Sequence, residues 1–219
     1  RLPDRSVVYT GAEELAGIAP EYTLPVKQFR LEKGLPVWVY QAQDFILEKR
    51  VLMPYRQNTV HIGYRLLAGD GSLRIGLRPA IHFRPHDAPV SSRAPQKYIL
   101  TVTEEQYEIT GPQNLPTLRM TICATSKAFT FDRRQSSDID YQTERIRGYE
   151  YQGSLWSPGY FRLDLTAGQQ ATLIASTEPW ETILALTPAL AIQAESQRRD
   201  KLLLSAPPEV QTGPAAELV

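Results

Sequence analysis

The side chains best suited to chemistry gather in residues 82–87, which read His-Phe-Arg-Pro-His-Asp. Arg84, His86 and Asp87 can donate and accept hydrogen bonds to the hydroxyl groups of a ligand, or brace a neighbouring domain. The alternative is that polar residues simply collect where a strand leaves a sheet, with His82 an imidazole satisfied in the core or at an interface. His61, which precedes Arg65 in a strand pattern, is predicted to face outward.

Two aromatic residues, Trp156 and Tyr160, form a second candidate site. They flank Ser157-Pro158-Gly159, which predicts a tight connection that displays both rings. Exposed aromatic rings stack on the apolar faces of sugar rings. The alternative is that both rings pack under the loop or against a neighbouring domain.

The acidic residues do not define a catalytic pair. Glycosidic bond hydrolysis usually needs two carboxylates at a fixed separation, and the chain has 24 acidic residues. The densest group, Asp138, Asp140 and Glu144, falls in the polar residues 125–155, which predict a long solvated connection with an edge strand over 143–151. That group lacks the glycine and terminal glutamate of a calcium loop. The motifs of phosphate-binding loops, serine hydrolases and zinc sites are absent from the sequence, so we predict no catalytic residue, metal ligand or cofactor here.

The elements that must position these residues are mainly β-strands. Apolar residues alternate with polar ones, which is the periodicity of a strand, in two runs: Val60, Ile62, Tyr64, Leu66 and then Leu73, Ile75, Leu77. Residues 68–72 carry two glycines and an aspartate, so a hairpin is predicted. A second hairpin is predicted from residues 160–165 and 171–176, and further strands over 28–40 and 98–124 complete an antiparallel sandwich. Residues 11–17 could form a helical turn or a loop.

A helix is predicted after the strands. Thr187 is a suitable N-cap, Pro188 suits the first helical position, and residues 189–204 are strong helix formers. Prolines and Gly213 beyond it predict a linker. We therefore expect a β-sandwich domain with a terminal helix over 1–205 and a linker over 206–219.

Composition excludes some classes of function. The formal net charge is zero, which does not favour nucleic acid or an anionic membrane as partner. No apolar run reaches the roughly 20 residues of a membrane helix. The single cysteine, Cys123, cannot form an internal disulfide, and a lone thiol fits a reducing, cytoplasmic compartment. The chain starts at Arg1 rather than methionine, and we expect it to be an excised fragment.

The wording of residues 45–83 and of a later block resembles a known family. The strand LEKRVLMPYRQNTVHIGYRLL followed by LRIGLRPAIHFR, together with RGYEY and LWSPGYF, resembles the N-terminal domain of bacterial and archaeal glycogen debranching enzymes. The helix ESQRRDKLL extends the resemblance over residues 29–204. It implies a large sandwich of the galactose-mutarotase-like supersandwich type.

The resemblance also implies a function. The parent enzyme would hydrolyse α-1,6-glucosidic branch points of glycogen on an (α/α)6 barrel outside this chain, and this domain would pack on that barrel and shape the cleft for an α-glucan. On that interpretation the fragment itself is not catalytic. The alternatives are a free-standing carbohydrate-binding module, a mutarotase-like sugar epimerase, and an interaction domain without a ligand.

Overall fold

The protein is a sandwich of two antiparallel sheets with helices on one outer face. The computed structural model describes residues 2, 4–10, 23–92, 97–112, 114–213 and 216, and for Asp138 only the backbone. The helical turn or loop expected at residues 11–17 lies outside that set, as does part of the expected linker. The predicted fold class, an antiparallel β-sandwich with a C-terminal helix, is confirmed. The predicted division at residues 205 and 206 stays a prediction.

The large sheet has eight strands in the order β1-β2-β3-β4-β11-β8-β7-β6. Their bounds are β1 Val26–Glu32, β2 Leu35–Ala42, β3 Phe45–Leu52, β4 Thr59–Ala68, β6 Ile99–Thr103, β7 Gln106–Thr110, β8 Leu118–Cys123 and β11 Gln170–Ser176. The small sheet has the order β5-β10-β9, with β5 Ser72–Leu77, β9 Lys127–Asp140 and β10 Gln152–Thr166. The strands predicted between residues 28 and 124 are therefore confirmed.

Both predicted hairpins are wrong in their pairing. Strand β4 belongs to the large sheet and β5 to the small one, and likewise β10 and β11 lie in different sheets. Each connection is a corner at which the chain changes sheet, and the two corners meet: the amide of Leu66 donates to the carbonyl of Gln169 at 3.0 Å, and the amide of Gly168 donates to the carbonyl of Leu66 at 2.7 Å. Alternation shows which side chains face inward, but it does not show which strand is the partner.

Gly69 makes the first corner possible. Its φ is +132°, and the Phe45 ring lies only 2.3 Å from where a Cβ would stand. A side chain there would be both strained and blocked.

The predicted long connection at 125–155 is also wrong. It contains the 14-residue strand β9 and the helix α1 (Gln142–Ile146), and the predicted edge strand at 143–151 does not form. Strand β9 is an edge of the small sheet and leaves Phe131 70% exposed. An edge strand with few buried positions carries a polar sequence, which explains why it resembles a loop.

The core lies between the sheets. It is formed by inward side chains of both, among them Leu66, Ile109, Met120 and Leu173 of the large sheet and Leu73, Phe161, Leu163 and Leu165 of the small one. This cluster holds most of the buried hydrophobic residues in the described part of the chain, and their removal from water stabilises the fold.

Two helices cover the outer face of the large sheet. They are α2 (Trp180–Leu184) and α3 (Pro188–Ser205), and α3 begins as predicted, with the Thr187 hydroxyl accepting from the Leu190 amide at 3.3 Å. Leu35 and Leu52 pack with Ala191 of α3. Among the described residues, no helix is long and apolar enough to cross a membrane.

Candidate functional site

A cleft of about 440 Å³ separates residues 84–90 from residues 144–150. We call it the Tyr149 cleft. Its polar lining consists of Arg84, His86, Asp87, Glu144, Tyr149 and Glu150. The three side chains predicted at the strand exit thus meet three that the sequence analysis did not predict as binding residues.

The first wall is held in place from below. Ile81 and Trp156 exchange two backbone hydrogen bonds of 2.8 and 2.9 Å, and Trp156 stacks on Tyr98 with ring centroids 4.7 Å apart. The Tyr98 hydroxyl accepts from the Phe83 amide at 3.2 Å. The Arg84 guanidinium in turn donates to the Ala88 carbonyl. The segment that carries Arg84, His86 and Asp87 is therefore fixed by the core rather than hanging free.

The second wall is the turn that follows α1. The amide of Tyr149 donates to the Glu144 carbonyl at 3.0 Å, which closes the turn and leaves the Tyr149 side chain 64% exposed. Arg145 lies over the Tyr151 ring at 4.4 Å and pairs with Asp140. These contacts anchor the end of β9 and the start of β10 to the wall.

One hydrogen bond ties the two walls together. The Ser91 hydroxyl donates to the Glu150 carboxylate. Behind the first wall, Nε2 of His82 is buried without a hydrogen-bond partner. Burial, and then the positive charge of Arg84, lower the pKa of His82, so its imidazole is neutral at physiological pH.

Trp156 is predicted to be displayed on the surface, but the structure buries it. It is only 6% exposed, because Ser157-Pro158-Gly159 continues strand β10 through a bulge and does not form a tight connection. Packing beneath a surface segment, the alternative for Trp156, is what the structure shows. Its role in glycan or domain contacts stays a prediction without an exposed ring to support it.

Tyr160 lies outside the cleft. It is half-buried in β10, and the Arg78 guanidinium sits 5.2 Å from its ring centroid. The structure therefore brings Arg84, His86 and Asp87 together, but not Trp156 or Tyr160.

The sequence does not predict Glu144, Tyr149 and Glu150 as binding residues: it places Glu144 in a solvated connection, and α1 is too short for its turn to be recognised. Three of its five residues, Gln142, Glu144 and Arg145, are good helix formers. Gly148, two residues after the helix, is a stop signal. That signal is available in the sequence, but residues 143–151 were interpreted as a strand.

The acidic group Asp138, Asp140 and Glu144 does not lie in a solvated loop. Asp138 and Asp140 belong to β9, and Glu144 belongs to α1. Across the described residues, no three His, Cys, Asp or Glu side chains are grouped so as to hold a metal ion.

The chemistry of the cleft suits a ligand rich in hydroxyl groups. Three carboxylates accept hydrogen bonds, one guanidinium donates them, and an exposed phenol ring offers a flat apolar surface. The volume lies within the range of about 300–1,000 Å³ that small-molecule sites occupy.

The sequence matches the family described as "Glycogen debranching enzyme N terminal" over residues 11–172 of 219. The chain belongs to this family. The match covers β1 to β10 and both walls of the Tyr149 cleft, and it ends within β11, while helices α2 and α3 lie beyond it. No curated protein matches the chain. The family to which the sequence showed a resemblance is thus confirmed.

Proposed function

We propose that this chain is the non-catalytic N-terminal domain of a cytoplasmic glycogen debranching glycosidase. In this proposal it packs on an (α/α)6 catalytic barrel of the same polypeptide, where α-1,6-glucosidic branch points are hydrolysed. The Tyr149 cleft forms part of the path of the α-glucan. The family supports the debranching assignment, and the exposed, free thiol of Cys123 fits a reducing compartment.

The observation that carries the glucan part of the proposal is the pairing of walls across the cleft. Arg84, His86 and Asp87 face Glu144, Tyr149 and Glu150. Planar charged groups can bind neighbouring sugar hydroxyls two at a time, and the Tyr149 ring can stack on the apolar face of a glucose unit. Neither feature requires bond cleavage, which agrees with a domain that guides substrate.

Calorimetric titration of the 219-residue chain with maltoheptaose tests this. We expect binding without hydrolysis, and we expect Tyr149→Ala to weaken it roughly tenfold, since one lost stacking contact is worth about 0.5–1.5 kcal/mol. Tyr55→Ala is the matched control, because Tyr55 is similarly exposed at 59% but lies outside the cleft, beside Arg198 of α3. Equal affinities of the wild type and the Tyr149 variant would reject the cleft as a glucan site.

The barrel part of the proposal needs the full-length protein. There, Tyr149→Ala should reduce hydrolysis of a branched glucan chiefly by raising KM. In the proposed complex the Tyr149 ring binds substrate away from the reacting bond, so its loss weakens binding and leaves the chemical step unchanged. A fall in kcat alone would contradict a role in substrate guidance.

A sugar epimerase is a second candidate, favoured by one observation. His86 lines the same cleft as Glu144 and Glu150, and anomer interconversion needs an acid and a base at one sugar ring. If the chain speeds the interconversion of glucose anomers, and His86→Ala removes that effect, this candidate replaces the non-catalytic assignment.

A further inference from the structure

A second cleft adjoins the Tyr149 cleft and begins at Ser91, the residue after Val90. It measures about 360 Å³. Its lining side chains are neutral hydroxyls and amides: Ser91, Ser92, Gln135, Ser137, Gln152 and Ser154. Within the described part of the chain, no charged side chain lines it. We call it the serine–glutamine cleft.

The floor of this cleft is a β-bulge. Gly153 of β10 pairs with Ile139 of β9, and Leu155 pairs with Ser136, so the single residue Ser154 stands opposite two residues of β9. A bulge bends its strand and re-aims the neighbouring side chains. Bulges are over-represented at sheet edges, where β9 lies, and next to active sites.

The two clefts adjoin at Val90 and Ser91, which we call the ridge. Val90 lines the Tyr149 cleft and Ser91 lines the serine–glutamine cleft. The ridge lies directly on β10, since a Cβ on Gly153 would stand 2.8 Å from the Val90 carbonyl oxygen. The hydrogen bond from Ser91 to Glu150 fastens the ridge to the far wall of the Tyr149 cleft.

We propose that the serine–glutamine cleft is a second subsite for the same α-glucan chain, which crosses the ridge from the Tyr149 cleft. This inference rests on the proposed function. Serine hydroxyls and glutamine amides both donate and accept hydrogen bonds, as sugar hydroxyls do. The described lining side chains are neutral, so a neutral ligand would desolvate no ionised group among them. A polymer longer than one cleft gains from both sites because the second binding event is intramolecular.

Ligand length separates the two sites. We expect maltose to bind mainly in the Tyr149 cleft and maltoheptaose to span both. The double variant Gln135→Ala, Gln152→Ala should weaken maltoheptaose binding about tenfold, from the loss of two hydrogen bonds worth about 0.5–1.5 kcal/mol each. Maltose affinity should stay within about twofold of the wild type.

The controls keep the outcomes distinct. Both glutamines are exposed, so the variant should keep the wild-type unfolding midpoint, and Gln193→Ala on the exposed side of α3 should change nothing. Gln135→Lys, which brings a charge into the cleft, should repeat the loss for maltoheptaose.

Three results would overturn the inference. If the glutamine variants bind maltoheptaose like the wild type while Tyr149→Ala does not, the second subsite is rejected and the proposed function stands. If maltose and maltoheptaose lose affinity equally in the double variant, the two clefts are not separate subsites. If the wild-type chain binds neither sugar, both proposals fall.

Discussion

His61 is a buried imidazole in strand β4 of the large sheet. It is 4% exposed on the outer face of the large sheet, paired with Leu52 on β3 and Ile174 on β11, and its Nδ1 atom has no hydrogen-bond partner. His61 points away from the core between the sheets, as predicted, but its side chain is buried because helices cover that outer face. Burial lowers the pKa of His61 below its usual 6.5.

A lowered histidine pKa makes the fold less stable in mild acid. Below about pH 6.5, His61 binds a proton in the unfolded chain but stays neutral in the folded protein until the pH is lower. The free energy of unfolding therefore falls by at most about 1.4 kcal/mol for each pH unit of acidification from this group. We expect urea unfolding of His61→Leu to depend less on pH between 7.5 and 5 than that of the wild type. A weaker dependence should remain, because burial also lowers the pKa of His82.

His86→Ala is the control for this effect. His86 is exposed in the Tyr149 cleft, so its replacement tests whether the loss of an exposed histidine has the same effect. Identical pH profiles for wild type and His61→Leu would show that His61 is not the group responsible.

Gly159 tolerates no side chain. A Cβ there would stand 2.1 Å from the Thr130 carbonyl oxygen of β9, and backbone atoms of a paired strand cannot yield as a flexible side chain can. Gly159→Ala should lower the free energy of unfolding by about 2–3 kcal/mol. Gly76→Ala in β5 is the matched control, since its nearest neighbour, a ring carbon of Tyr160, lies 3.9 Å away. Equal urea midpoints for the two variants would contradict this account.

At the scale of elements, helix α3 carries a cluster of ion pairs within itself, and two further charged contacts join it to Tyr55 and Lys33. Glu195 is 4% exposed and accepts hydrogen bonds from Arg198 at 2.6 and 2.9 Å and from Arg199 at 2.9 Å. Arg198 continues to the Tyr55 ring at 4.7 Å, and Lys33 pairs with Asp200 at 2.6 Å. Removing the charge of a buried carboxylate that is paired with guanidinium groups lowers the free energy of unfolding, because the remaining partners lose their charged acceptor.

Neutralising Glu195 should loosen α3 before the rest of the fold. Glu195→Gln should cost about 1–3 kcal/mol, because two guanidinium groups lose a charged acceptor. Hydrogen exchange of the α3 amides should speed up while the core strands keep their protection. Glu181→Gln, at an exposed position in α2, should leave exchange unchanged.

The ion pair between Glu195 and Arg198 also makes the stability of α3 depend on pH. The Arg198 hydrogen bonds hold the pKa of Glu195 below its usual 4.5. Its contribution is therefore complete above pH 4.5 and is lost as the pH falls through the lower, folded value. Exchange in α3 that does not respond to acid would count against the Glu195 carboxylate as a group that stabilises the helix.

Strands could be predicted from this sequence far better than their partners. The inward positions Ile62, Tyr64 and Leu66 are correct because alternation reports burial directly. The corner at Gly69 has the local sequence of a hairpin turn. It differs from a hairpin only because Leu66 and Leu73 belong to different sheets and meet in the core between them. Strand β9 was missed because an exposed edge has no apolar alternation to detect.

The candidate site was half predictable for a related reason. Arg84, His86 and Asp87 are neighbours in sequence, so their grouping is visible without a fold. Glu144, Tyr149 and Glu150 join them only because β9 and β10 bring the α1 turn beside the exit of β5. Such contacts between distant residues depend on the topology that alternation leaves open.

At the scale of the whole molecule, the two corners make the sheets depend on each other. Strands β4 and β11 lie side by side in the large sheet, and each continues through a corner into the small sheet. Separating the sheets would expose the inner faces of both, including Leu66 and Leu163, which are fully buried. The second apolar cluster, under α3, is far smaller and joins the same sheet.

We therefore expect one cooperative unfolding transition, and the three tryptophans can report it separately. Trp38 lies in β2, Trp156 in the core on β10, and Trp180 in α2, where its indole donates to Glu108 at 2.8 Å. Variants that keep a single tryptophan, with phenylalanine at the other two positions, should give the same urea midpoint by fluorescence as by far-ultraviolet circular dichroism of the same variant. A Trp38 signal lost at lower urea than the circular dichroism signal would mean that β1–β3, which lie at one end of the large sheet, unfold before the sandwich. In that case the corners would couple only the centre of the molecule.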